Sequence, residues 1–282
     1  MLVGVVTLLS LLLSGLLCGW TGSFENWNWI WVLPCGFVGS FVVFVGLAFL
    51  FLWFCCAIVD LKKPQEESSK FYRRLLHLYV DAVLCLGRVK INAQGMEKTP
   101  KGRRFLLVCN HIDNLDPAFL MTCFRDSQLA FINKREAVEF FLVGKMMHKI
   151  LCQPINREND REALKTILKC IQILKEDKAS IAVFPEGYIH KEDRKLHRFR
   201  SGAFKIATKS KVPIVVCTLR DTPSVLGKLV KLQPSSVEVH LVQVIEPEEY
   251  ENITTVELAE RIYQTMAADL GPDLVSQEEE KA

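Results

Sequence analysis

A chain of 282 residues, half of them hydrophobic and with 35 Lys and Arg against 32 Asp and Glu, has room for one ordinary domain and something extra. Its net charge of +3 conceals a split: residues 61–245 carry 33 basic and 19 acidic side chains, residues 246–282 carry 2 and 11. The ten cysteines contain no C-x-x-C pair, which speaks against a disulfide framework and for a reducing cytoplasm, and no nucleic-acid module accompanies the basic body.

From Met1 to Val59 the only charged side chain is Glu25. Two apolar stretches, Met1–Cys18 and Gly36–Val59, flank "GWTGSFENWNWIW", which holds four of the five Trp residues. As a helix the second stretch is roughly 36 Å long, enough for a hydrocarbon layer of about 30 Å, and Trp favours the membrane interface. No Lys or Arg precedes Lys62, so a cleaved signal peptide lacks its positive region. The expectation is a retained helical hairpin over residues 1–60, crossing the bilayer or entering one leaflet. Lys62, Lys63, Lys70, Arg73 and Arg74 follow it, which places the main domain in the cytoplasm. The absence of sorting signals points to a bacterial plasma membrane. A basic body beside such an anchor suits anionic lipid head groups or a phosphorylated substrate.

Residues 61–87 follow as a juxtamembrane helix, with Leu75, Leu78, Ala82 and Leu86 at helical spacing and a basic early face, expected along the membrane. Over residues 88–282 the pattern alternates. Strands are expected at 88–93, 105–109, 128–132, 180–184 and 213–219, with helices at 117–124, 134–148, 158–176 and 201–209. The stripe Leu164, Ile167, Leu168, Ile171 and Leu174 is expected to be core. "SVEVHLVQVI" alternates as a half-buried strand, and "TTVELAERIYQTMAADL" closes the chain as an amphipathic helix. Interleaved strands and helices imply an α/β domain with a largely parallel sheet flanked by helices.

In such sheets ligands gather at the carboxyl edge, where three polar clusters fall: Asn110–Asp116, Asn156-Arg157 and Glu186-Gly187. "CNHIDNLDPAF" allows two readings. Asp116-Pro117 is a good helix start, with Asp116 as N-cap, and His111 with Asp116 is also a base with its orienting carboxylate. No G-x-S-x-G elbow is present, and Cys109 ends an apolar strand where a core role suits it. A base without a protein nucleophile suggests a substrate that brings its own hydroxyl. The six histidines form neither H-x-H nor H-E-x-x-H, so no metal site is expected. Arg157 suits a phosphate or a solvated helix start. In "FPEG" Pro185 and Gly187 hold Glu186 in a rigid turn that serves either a site or the fold.

"NHIDNLD", "PINR", "FPEG" and "VPIVV" at 212–216 together resemble the four ordered blocks of the glycerolipid acyltransferases, over roughly residues 80–245, and in particular those that acylate 1-acylglycerol 3-phosphate. The resemblance implies a glycerolipid-acyltransferase-like domain. It implies His111 as general base on the sn-2 hydroxyl of lysophosphatidic acid, with Asp116 orienting it. The hydroxyl would attack the thioester of acyl-CoA or acyl carrier protein directly, without an acyl-enzyme, a metal or another cofactor, giving phosphatidic acid. Asn110, Arg157, Glu186 and Gly187 would bind the acceptor. The sequence departs from the pattern in two places: Asp113 replaces the usual Ser, and Tyr188-Ile189 replaces a Thr-Arg that follows the third block. Lys191, Arg194, Arg198 or Arg200 would then supply the missing phosphate charge. A different lysophospholipid acceptor and an inactive lipid-binding scaffold are the rival expectations.

Overall fold

The computed structural model describes residues 1–231 and 233–276. Leu2–Trp20 (α1) and Trp29–Ala57 (α2) are two helices long and apolar enough to cross a membrane. They pack side by side through small polar residues: the Ser14 hydroxyl donates to Leu33 O (2.5 Å) and that of Ser40 to Ser10 O (3.3 Å). Lys70–Leu86 (α3) starts at Ser69, whose hydroxyl caps it by accepting from Tyr72 N.

Helix α3 does more than line a membrane. Tyr72, Leu75 and Ala82 are buried, and Tyr72 and Leu75 belong to the core. The buried Arg73 donates to Leu129 O (2.8 Å) and Ser68 Oγ (2.7 Å). The Tyr72 and Tyr79 hydroxyls donate to the carbonyls of Cys55 and Ala48 in α2. The helix therefore fastens the hairpin to the domain.

The domain continues through Val89–Gln94 (β1), Leu106–Cys109 (β2), Asp116–Cys123 (α4), Leu129–Lys134 (β3), Phe141–Lys149 (α5), Gln153–Ile155 (β4) and Asp160–Lys175 (α6). Ser180–Val183 (β5), Lys205–Ser210 (α7), Ile214–Arg220 (β6), Pro223–Val230 (α8), Ser235–Ile245 (β7) and Thr255–Leu270 (α9) complete it. The seven strands form one sheet in the order β1-β7-β6-β2-β5-β3-β4, parallel except for the β6–β7 pair. Strands β2 and β5 are buried throughout, as central parallel strands covered on both faces must be. All ten cysteines are free.

Three expectations need correction. The helix expected at 134–148 is broken: β3 runs to Lys134, a 3-10 turn spans Arg135–Glu139, and α5 starts only after the extended Phe140. Gly144 makes this elbow possible, since a Cβ there would lie 2.1 Å from Val138 O. Strand β4 and helix α8 were not expected at all. The stripe on α6 is only partly core: Ile167, Ile171 and Leu174 are buried, whereas Leu164 and Leu168 are 49% and 56% exposed.

Candidate active site

Strands β2 and β5 are parallel neighbours in register at Val108 and Val183, so the loops leaving their carboxyl ends lie side by side. His111 stands on the first and Glu186 on the second, and they meet: Glu186 Oε1 accepts from the His111 backbone N–H at 2.8 Å. Glu186 Oε2 accepts from His197 N at 3.4 Å. Glu186 is buried, and this desolvation pushes its carboxyl up to about 8 despite the two backbone donors.

Asp116 Oδ2 lies 2.9 Å from His111 Nδ1 and accepts from Ile112 N (2.8 Å) and Asp113 N (2.9 Å). Three donors converge on one fully buried oxygen. A carboxylate only accepts, so it fixes the proton on Nδ1 and leaves Nε2 as the basic nitrogen. The expected N-cap role does not occur. Asp116 is the first residue of α4, no side chain caps that helix, and the carboxylate turns back onto its own loop. Asp113 supports the turn by accepting from Leu115 N (2.9 Å), and burial raises its carboxyl above the usual range. The His111 ring stacks on Phe184, with centroids 4.0 Å apart and planes 13° apart.

Phe184 also lines a cavity of about 430 Å³ that extends across the ends of β5, β3 and β4. Its walls include Ile132, Ile155, Leu164 and Ile167, and its charged lining residues are Arg157, Arg200, Lys205 and Asp160. Gly187 has φ +92° and gives room to the Arg200 side chain, since a Cβ would lie 2.9 Å from Arg200 Nε. Burial and the nearby Arg200 charge pull the Arg157 guanidinium below its usual value, partly offset by Glu136. Among the described residues neither guanidinium has a carboxylate within ion-pair distance. Arg157 and Arg200, with Lys205, outnumber the Asp160 carboxylate in this mostly apolar cleft, which favours an anion there.

The other expected site residues divide. Asn110 is buried and its amide is spent on β6, donating to Leu219 O (3.0 Å) and accepting from Leu219 N (2.8 Å). It clamps β2 to β6 beneath His111 and also lines, with Arg194, a cavity of about 270 Å³ distinct from the first. Glu186 likewise orders two backbone segments and is not part of the cavity wall. Of the candidate replacement charges, Arg200 is in the cavity. Arg194 lines a separate cavity of about 270 Å³, with Ile112 and Asp221, and acts electrostatically on Asp113. Lys191 and Arg198 are exposed and line neither cavity. The segment bearing these charges is pinned where Leu196 exchanges backbone hydrogen bonds with Leu274 (2.8 Å) and Ser276 (3.0 Å). Burial raises the Cys109 thiol well above its ordinary value, so it is a core residue, as its position in the strand suggested.

Sequence reasoning missed Phe184 as the platform under the imidazole, and the cavity walls. The apolar exposure of Leu164 is the signal for the second, and it becomes visible only once the helix is docked.

The raised Glu186 value has a consequence for stability. The folded state holds this proton up to about pH 8, whereas an ordinary glutamate releases it near 4.5. Between those values folding takes up a proton, so raising the pH favours unfolding. Thermal unfolding of the full chain in detergent is expected to shift downward from pH 5 to pH 8.5. Glu186→Gln is expected to flatten that slope; an unchanged slope would place its origin elsewhere.

An acyltransferase family model matches residues 90–220. A probable 1-acyl-sn-glycerol-3-phosphate acyltransferase of Mycoplasma pneumoniae is 33% identical over 180 residues, covering 62% of this chain and 64% of that protein. A 1-acyl-sn-glycerol-3-phosphate acyltransferase of Chlamydomonas reinhardtii is 30% identical over 218 residues, covering 75% and 63%. The chain thus spans a little under two thirds of the length of these relatives. The crystal structure of the 1-acyl-sn-glycerophosphate acyltransferase of Thermotoga maritima superposes with a TM-score of 0.56 at 19% identity, covering 78% of this chain and 86% of that one, which shows a shared fold.

Proposed function

We propose that the chain is an acyltransferase, as the family model matching residues 90–220 supports, and that it transfers an acyl group from a thioester to the sn-2 hydroxyl of 1-acylglycerol 3-phosphate, giving phosphatidic acid. The observation that carries this reading is the His111–Asp116 pair, which shares Phe184 with a cavity lined by two guanidiniums that have no carboxylate within ion-pair distance among the described residues. His111 Nε2 takes the proton of the acceptor hydroxyl as its oxygen attacks the thioester carbonyl. Asp116 stabilises the imidazolium that forms. The carbon–sulfur bond breaks, and the proton passes to the departing thiolate. Arg157 and Arg200 hold the acceptor phosphate, while Ile132, Ile155 and Leu164 offer an apolar wall to an acyl chain. Acyl-CoA and acyl carrier protein both present the required thioester.

The hairpin suits this reaction. Acceptor and product reside in the bilayer and the donor arrives from water, so anchoring α1 and α2 in the membrane brings the site to the lipid. Lys62 and Lys63 then mark the cytoplasmic side.

Transfer of a labelled acyl group from each donor to lysophosphatidate in micelles tests the proposal, with lysophosphatidylcholine and 1-acylglycerol as competing acceptors. The expected result is preference for lysophosphatidate. Equal use of lysophosphatidylcholine would overturn the assignment of the acceptor, and no transfer by folded protein to any of them would favour the lipid-binding scaffold.

A further inference from the structure

Helix α5 and the residue before it carry a surface that the proposed reaction does not use. Phe140, Phe141 and Val143 are 67%, 42% and 52% exposed. Three large apolar side chains within four residues are costly in water, at roughly 25 cal/mol per Å² of apolar surface. The sequence did not single them out, because its expected helix ran straight through them.

The neighbours of α5 indicate what covers this surface. The helix runs beside the end of α2 and the stretch that follows, and is fastened to them along its length. At its start the Phe141 ring lies 6.1 Å from that of Trp53, and Leu142 O accepts from the Cys56 thiol at 3.7 Å. One turn later Lys145 Nζ donates to Val59 O. At its end His148 Nε2 lies 3.0 Å from Lys63 O, and Lys149 Nζ donates to Gln65 Oε1 at 3.0 Å. The polarity of α5 follows the same order. Its apolar start adjoins the last turns of α2, and its basic end adjoins the charged residues after it.

We infer that Phe140, Phe141 and Val143 insert into the acyl-chain boundary of the bilayer, making the start of α5 a third membrane contact beside the hairpin. This rests on the placement of α2 in the membrane. Trp53 and Phe54 are themselves exposed on the last turns of α2, so a bilayer that covers them reaches residues attached to the same turns. Lys145 and Lys149 then stand at head-group depth, where basic side chains meet anionic lipid. Gly144 holds the elbow that turns Phe140 outward, by admitting the Val138 carbonyl against the helix. The elbow begins where β3 ends, and β3 contributes Ile132 to the cavity wall, so the contact brings the cavity close to the lipid.

Lipid photocrosslinking of the full chain tests the inference. Variants carrying p-benzoylphenylalanine in place of Phe140, of the exposed Phe49 on α2, or of the exposed Val256 on α9 are reconstituted into vesicles of phosphatidylcholine and phosphatidylglycerol with a radiolabelled lipid, and irradiated. Labelling at 140 is expected to approach that at 49 and to exceed that at 256 by about tenfold, the behaviour of a residue within the apolar boundary. Strong labelling at 49 with 140 at the level of 256 would overturn the inference and leave the hairpin in place. Weak labelling at all three positions would overturn both.

Discussion

Replacing His111 with Ala is expected to lower acyl transfer to lysophosphatidate by about 10² to 10⁴, the range for losing a positioned general base. Cys109 is a buried neutral thiol, and Glu186 is turned onto backbone donors. Asp116→Asn is expected to cost nearly as much, by a different route. The three donors now on Oδ2 prefer a charged acceptor, and Oδ1 is buried without a hydrogen-bond partner, so an amide NH₂ placed there would find none. The turn from Ile112 to Asp116 would loosen and the imidazolium would lose its counter-charge. Initial rates at saturating donor, with circular dichroism to verify folding, measure both effects. Activity within a few-fold of wild type for His111→Ala would remove the base from the mechanism.

Replacing Arg200 with Ala is expected to raise KM for lysophosphatidate by about tenfold to a hundredfold, the scale of a hydrogen bond to a charged group, with a smaller fall in kcat. Arg157→Ala is expected to act in the same direction. Burial and, after it, repulsion from Arg200 disfavour the charged Arg157 guanidinium, and a phosphate between the two side chains relieves that repulsion. The discriminating measurement uses 1-acylglycerol, which has the hydroxyl but no phosphate. Its poor kinetics are expected to change little in either variant. An equal loss with both acceptors would mean that Arg200 serves only the fold, where its backbone N–H already holds Pro185 O at 2.8 Å. Arg194→Ala is expected to leave KM for lysophosphatidate near its wild-type value, because Arg194 lines the other cavity.

The parts of the site that could be read from sequence are those whose local chemistry is self-contained. "NHIDNLD" brings its base and carboxylate together within one turn, and "FPEG" rigidifies itself with Pro185 and Gly187. Roles that depend on a neighbouring strand were not legible. Asn110 has the composition of a binding residue, and only the pairing of β2 with β6 shows that Leu219 takes its amide. Periodicity found α6 but could not separate Ile171, which faces the core, from Leu164, which faces the cavity, because both are apolar at helical spacing. The break at Phe140 escaped for the opposite reason: the apolar pattern continues through the elbow, and the contact that bends it joins Gly144 to a backbone carbonyl. Strand β4 has three residues, too few for any alternation to register.

In the proposed reaction the acceptor hydroxyl, activated by His111, attacks the thioester without a covalent acyl-enzyme. Intact-protein mass spectrometry tests it most directly: the full chain is mixed with a long-chain acyl-CoA, or with an acylated carrier protein, in the absence of acceptor, and quenched in acid over the first seconds. Unmodified protein is expected at every time, with the thiol product appearing only once lysophosphatidate is added. A stoichiometric acyl adduct formed before the acceptor arrives, and discharged by it, would instead establish a covalent acyl-enzyme and rule out direct attack by the acceptor.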